Sequence, residues 1–172
     1  MVIATQNPIE MEGTYALPEA QRDRFMARVS IGYPPANAEL RMLADHAAGN
    51  PLDDLDPVTD AAEVSKLVAV VGRTHVADDV LRYAVDLVAA TRAHHDIALG
   101  GSPRATLHLV RAAKASAALQ GREYVLPDDV RGLLKPVLAH RLLPTPQAAL
   151  EGGSVGTMLD AIAANVPVPG SR

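Results

Sequence analysis

Apolar residues recur at helical spacing over most of the chain beyond residue 36, so the pattern predicts a series of helices that each bury one face. Asn37 is placed to cap a helix running through about Ala48, with Leu40, Leu43 and Ala47 on one side. A second helix, about Asp60 to Val71, carries Val64, Leu67, Val68 and Val71, and a third, Ala77 to about His95, carries Val80, Leu81, Ala84, Leu87, Val88 and Thr91. A fourth begins with Ser102 as cap and Pro103 just inside, ends at Gly121, and would bury Leu107, Val110, Ala113 and Ala117. A fifth follows Pro127 with Asp128 and Asp129 in its first turn and a stripe of Val130, Leu133, Leu134, Val137 and Leu138, and Pro136 predicts a kink in it. Residues 145–153 read as a loop, followed by a short amphipathic helix from about Ser154 to Asn165 and a Pro-Val-Pro-Gly tail expected to fray.

The first 32 residues follow another pattern. Met1 to Ala4 reads as a short apolar strand running into a polar tip, Thr5-Gln6-Asn7-Pro8. Met26 to Ile31 alternates Arg28 and Ser30 with Ala27, Val29 and Ile31, as a half-buried strand does. Between them a helix is predicted near Pro18, with Glu19 at the positive end of its dipole. Two strands and one short helix are not a self-sufficient sheet. The expectation is therefore the end of a larger α/β domain over residues 1–34, a hinge at Gly32-Tyr33-Pro34-Pro35, a helical bundle over 35–143, and a tail with a short helix over 144–172. The fold class is mainly α.

Composition narrows this picture. The apolar content is 48%, but with one Phe, four Tyr and no Trp it suits helices packed closely through small residues. The formal charge of −4, with both signs interspersed, offers no basic footprint for nucleic acid. Without cysteine, disulfides and thiolate metal sites are excluded, which fits a reducing, cytoplasmic setting. No apolar run approaches the roughly 18 residues that a membrane helix needs.

Three positions invite chemistry. Asn7, at the end of the first strand, has an amide that can donate to a phosphate oxygen or orient a water, although an Asn before Pro8 also forms turns through its own backbone. Arg24, at a helix end, can reach an anion or pair at the surface with Asp23 or Glu19. Arg104 follows Gly100-Gly101-Ser102-Pro103 into the first turn of a helix, where a cation opposes the dipole unless an anion is near. The six histidines show no i, i+4 pair, and the adjacent His94 and His95 are poorly arranged to face one ion, so no metal site is expected.

In this order and spacing, these sites resemble the MoxR family of AAA+ ATPases. The words that carry the resemblance include Ala4-Thr5-Gln6-Asn7-Pro8, Glu12-Gly13-Thr14-Tyr15, Leu17-Pro18-Glu19-Ala20-Gln21, Asp23-Arg24-Phe25, Gly101-Ser102-Pro103-Arg104-Ala105, Pro127-Asp128-Asp129-Val130 and His140-Arg141. They extend to about Leu143. The resemblance implies the end of an α/β P-loop NTPase core followed by an all-α AAA+ lid. It implies Asn7 as sensor 1 and Arg24 as an arginine finger acting on a neighbouring subunit's nucleotide, spacing from Phe25 favouring Arg24 over Arg22. It implies Arg104 as sensor 2, with Ser102 beside it at the nucleotide. ATP and Mg²⁺ are the implied cofactors. The implied partners are further copies in a ring, a hexamer, and client proteins that are remodelled or loaded with cofactor, von Willebrand factor A-domain proteins among them.

Two elements of the family pattern are missing from the sequence: the GxxxxGK[ST] loop that cradles phosphates and an acidic strand end for Mg²⁺. In the family both precede the Asn-containing strand. The expectation is thus a C-terminal portion that binds nucleotide poorly by itself and hydrolyses none. The other reading is a free-standing, non-catalytic helical module that docks a protein partner.

Overall fold

The structure, a computed structural model, describes residues 2–5, 17–48 and 55–170. Within them the chain is mainly α-helical. The elements in order are α1 (Glu19–Arg22), α2 (Ala36–Ala48), α3 (Ala61–Gly72), α4 (Asp78–Ala93), β1 (Ile97–Leu99), α5 (Pro103–Leu119), α6 (Pro127–Gly132), α7 (Leu134–Leu138), β2 (Leu143–Pro144), α8 (Pro146–Leu150) and α9 (Val155–Asn165).

The core forms around α4 and α5. Val80, Tyr83, Ala84, Leu87, Val88 and Thr91 line the buried side of α4. The facing side of α5 is an i, i+4 row of Ala105, Leu109, Ala113 and Ala117. Three alanines in that row let the helix backbones approach closely. Leu107, expected on the buried side, is instead 58% exposed. It lies two residues, about 200°, round the helix from Ala105, in an open apolar cleft with Leu81, Val85 and Val110. Small residues claimed the contact face that side-chain size had assigned to Leu107.

Leu134, Val137 and Leu138 of α7 and Met158, Leu159, Ile162 and Ala163 of α9 complete the core. Residues 146–165, assigned to the tail from the sequence, therefore contribute to the same core as α4 and α5. Thr145 accepts a hydrogen bond from Ala148 N and Pro146 occupies the first turn, so part of the expected loop is the helix α8. Val166 and Val168 pack against the core instead of fraying.

The break between α6 and α7 has a covalent cause. Pro136 has no N–H to donate to the carbonyl of Gly132, and its ring crowds that carbonyl. α6 ends at Gly132 accordingly.

The two predicted strands do not form. Residues 2–5 and 26–31 lie outside any ladder, and Val2, Ile3, Val29 and Ile31 are exposed. A strand requires a ladder of a neighbour's backbone groups, and among the described residues the one backbone–backbone bond to either segment is from Arg28 N to the Pro136 carbonyl. The strands that do form went unpredicted because they are two and three residues long. β1 and β2 pair antiparallel, Ile97 opposite Pro144 and Leu99 opposite Leu143, and Thr145 N donates to the Asp96 carbonyl at 2.8 Å. No described helix is long and apolar enough to cross a membrane.

Candidate functional site

The short helix α1 starts at Pro18, whose carbonyl accepts from the Gln21 and Arg22 amides, and it ends in a turn at Asp23. That turn is fastened to the helical bundle. Arg141, in the turn after α7, donates from Nε to Asp23 Oδ1 at 3.1 Å and from Nη2 to the Asp23 carbonyl at 3.2 Å. It also bonds the carbonyls of Phe25, Met26 and Val137. Its side chain is only 1% exposed. Burial lowers the Arg141 pKa and Asp23 opposes that shift. His140 Nε2 donates to the Phe25 carbonyl at 3.1 Å, and Arg28 N donates to the Pro136 carbonyl at 2.8 Å.

The same carboxylate faces the amino end of α5. Ser102, the residue before the helix, makes no side-chain cap. Its hydroxyl donates to Asp23 instead, at 2.9 and 3.1 Å to the two oxygens. Arg104 Nη1 lies 3.5 Å from Asp23 Oδ2. The cation in the first turn of α5 is thus answered by an anion, although one from the far end of the sequence.

Gly100 and Gly101 hold this corner against α4. A Cβ on Gly100 would lie 2.7 Å from Arg92 Cα, and one on Gly101 would lie 2.9 Å from Val88 Cγ1. Gly101 N donates to Thr91 Oγ1 at 2.9 Å, and Arg92 Nε donates to the Gly101 carbonyl at 2.7 Å. The glycines serve close packing that sets where Ser102 and Arg104 begin.

The structure therefore brings Ser102 and Arg104 together. Asn7 lies outside the described residues. Arg24 is exposed one residue beyond Asp23, and among the described residues no ion pair includes it. Its two expected surface partners are engaged elsewhere, Glu19 with Arg22 at 3.6 Å and Asp23 with Arg104 and Arg141. Sequence reasoning missed the organising roles of Asp23 and Arg141. The available signals were a charge at 141 among apolar residues from Val137 to Leu143 and the presence of Asp23 and Arg141 in the words that carry the family resemblance.

Two histidines flank Arg141. Burial lowers the pKa of His108 and of His140, and the Arg141 charge lowers both further. His108 Nδ1 accepts from Arg141 Nη2, which requires the unprotonated nitrogen. Elsewhere, His94, His95 and Asp96 bring their ligand atoms within 4.8 Å of one another at a turn after α4. They are three consecutive residues, and His94 Nδ1 already accepts from the Asp96 amide at 3.2 Å.

Comparison with known proteins assigns the fold. Residues 89–162 match the family model of the AAA lid domain, and residues 1–27 match that of the ATPase family associated with various cellular activities (AAA). YeaC of Bacillus subtilis (strain 168) is 40% identical across 99% of this chain and 53% of its own length. Chaperone MoxR1 of Mycobacterium tuberculosis is 34% identical across 98% of this chain and 47% of its own length. Protein MoxR of Paracoccus denitrificans is 36% identical across 98% and 56%. A crystal structure of a proposed ATPase from Cytophaga hutchinsonii superposes with a TM-score of 0.87 at 31% identity, over 95% of this chain and 52% of that one. The chain spans about half the length of these relatives. Matched nearly end to end by MoxR proteins, and by AAA core and AAA lid models in that order, it belongs to the MoxR family of AAA+ ATPases.

Proposed function

We propose that this chain is the C-terminal portion of a MoxR-type ATPase that couples ATP hydrolysis to remodelling of client proteins or to cofactor insertion into them. The observation that carries the reading is Arg104, a half-exposed cation seated in the first turn of α5 beside a hydroxyl and answered only loosely by a carboxylate. A helix amino end with a cation and a hydroxyl suits a terminal phosphate. In a chain whose residues 1–27 match an ATPase family model, ATP is the phosphate ligand this favours.

In this reading residues 1–34 end the α/β core, 35–143 form the lid, and 144–172 close the chain. Arg104 reaches the γ-phosphate of its own subunit with Ser102 beside it. Arg24 reaches the nucleotide of a neighbour in a hexameric ring, and Asn7 positions the attacking water. The exposure of Arg24, against the inward lean of Arg22 whose Nε is buried, supports Arg24 as the finger. The setting is cytoplasmic, and the clients include von Willebrand factor A-domain proteins.

The residues in hand suit the phosphate but not the metal. Asp23, the carboxylate nearest this corner, is already engaged by Arg141, Ser102 and Arg104. Mg²⁺ and the phosphate cradle are left to residues outside this chain, which alone is expected not to turn over ATP.

The test uses the full-length protein. Arg24→Ala is expected to abolish turnover while leaving nucleotide affinity largely intact, and Arg104→Ala is expected to weaken both. Unchanged ATP affinity and hydrolysis in Arg104→Ala would remove its assignment. Equal loss of binding and turnover in Arg24→Ala would argue for a folding role there.

A further inference from the structure

Arg104 and Arg141 share the Asp23 carboxylate on very different terms. Arg141 is almost wholly buried and is tied in addition to the backbone carbonyls of Asp23, Phe25, Met26 and Val137. The Arg104 side chain is 46% exposed, and among the described residues its one ion pair is the 3.5 Å approach to Asp23. One cation is a buried counter-ion and the other a half-exposed one.

We propose that Asp23 is a positioning residue that holds Arg104 at the amino end of α5 while no phosphate is present and yields it when a phosphate binds. The proposal rests on the reading of Arg104 as a nucleotide contact. Its physical basis is that departure of Arg104 does not orphan the carboxylate. Asp23 keeps the Ser102 hydroxyl at 2.9 Å and Arg141 Nε at 3.1 Å, so little opposes the exchange. A phosphate carries more charge than a carboxylate and offers more acceptor oxygens, so it outcompetes Asp23 for an exposed guanidinium.

The contact also has a cost to binding. Whatever Asp23 contributes to holding Arg104 must be given up when the phosphate arrives, so the pair lowers apparent nucleotide affinity by its own strength. For a half-exposed ion pair that strength corresponds to about fivefold at most. Asp23 thus sets an affinity threshold at the lid, and it lies next in sequence to Arg24, the residue read as serving the neighbouring subunit.

The experiment measures ATP affinity by calorimetry on full-length protein carrying Asp23→Asn, Arg104→Ala, or both. Asp23→Asn preserves an oxygen for Ser102 and Arg141 while removing the charge that competes for Arg104. It is expected to tighten ATP binding about two- to fivefold, and the gain is expected to vanish when Arg104→Ala is present. Since Asp23→Asn leaves Arg141 buried without its counter-ion, a second form combines Asp23→Asn with Arg141→Met, and the same Arg104-dependent gain is expected there. Unchanged or weaker binding in folded Asp23→Asn protein, or a gain that persists without Arg104, overturns the role of Asp23. If Arg104→Ala alone leaves ATP affinity unaltered, the reading of Arg104 as a nucleotide contact fails, and this proposal fails with it.

Discussion

Arg141 and Asp23 stand 118 positions apart in the sequence and meet at 3.1 Å, through a guanidinium that is almost wholly buried. This one side chain bonds the backbone just past the end of α1. Residues 23–26 form no strand, so their carbonyls need other donors, and Arg141 supplies three of them. The α1 turn and the helical bundle are joined by charge-assisted hydrogen bonds more than by apolar packing, which makes the junction specific in direction and sensitive to single substitutions.

Arg141→Ala is therefore expected to destabilise the chain by about 2–4 kcal/mol, the cost of unpairing buried acceptors together with a carboxylate. Urea denaturation followed by circular dichroism measures it. Proteolysis should begin near residues 23–28 in the variant, because the released turn is the part Arg141 holds. A change under about 0.5 kcal/mol, the size of an ordinary surface substitution, would contradict the anchoring role.

The glycine corner gives a steric prediction. Gly101→Ala places a methyl 2.9 Å from Val88 Cγ1, and Gly100→Ala places one 2.7 Å from the Arg92 backbone. Each should cost about 1–3 kcal/mol, Gly100→Ala the more because backbone yields less readily than a side chain. Gly132→Ala is the control. Its Cβ meets nothing within 4 Å, so a gain of about 0.4–1 kcal/mol is expected from the stiffened unfolded chain. Thermal melts of the three variants check the order.

Stability should fall on mild acidification. His140 and His108 are both held below the ordinary histidine pKa, chiefly by burial. The unfolded chain then binds more protons than the folded one below about pH 6.5. Their neutral forms accordingly contribute stability that is complete above that pH and is lost as pH falls through their folded values. His140→Gln retains a donor for the Phe25 carbonyl and should flatten part of the slope between about pH 7 and 5. Equal slopes in variant and parent would rule His140 out as a source.

A last prediction concerns the start of α6. Leu126 stands at the cap position with no side-chain acceptor, and Asp129 reaches back to its amide at 2.8 Å while receiving Arg122 at 2.6 and 2.7 Å. Arg122 draws the Asp129 pKa below the usual carboxylate range. Asp129→Ala removes cap and ion pair together, and the lost cap alone is expected to cost about 0.5–2 kcal/mol. Arg122→Ala should cost less, because Asp129 keeps the amide. Equilibrium unfolding of the two variants at neutral pH decides the order.

Much of this was legible along the chain. Asp60 caps α3, Pro103 and Pro127 open α5 and α6, Gly121 follows the end of α5 with φ 72°, and Ser154 caps α9. Each is a local signal, read within a turn of the residue that sends it. The sequence pointed to Ser102 and Arg104 as neighbours at one helix start, but not to what the fold sets against them. Asp23 read as a surface partner for its neighbour, and only the fold sets it against Ser102, Arg104 and Arg141.

The longer helices, the starts of α3 and α9 at Asp60 and Ser154 and the break ahead of Pro136 were determined by the sequence alone, because propensity, capping and the missing proline N–H act over a few residues. Asn37, by contrast, lies inside α2, and Ser102 turns its hydroxyl to Asp23 instead of capping α5. Tertiary structure decided which helix face is buried, placing alanines and not Leu107 against α4. It decided that residues 2–5 and 26–31 go without a ladder, and that Asp23 joins the α1 turn to the bundle. Those outcomes depend on which groups meet across long stretches of chain, and neither hydrophobic periodicity nor residue spacing carries that information.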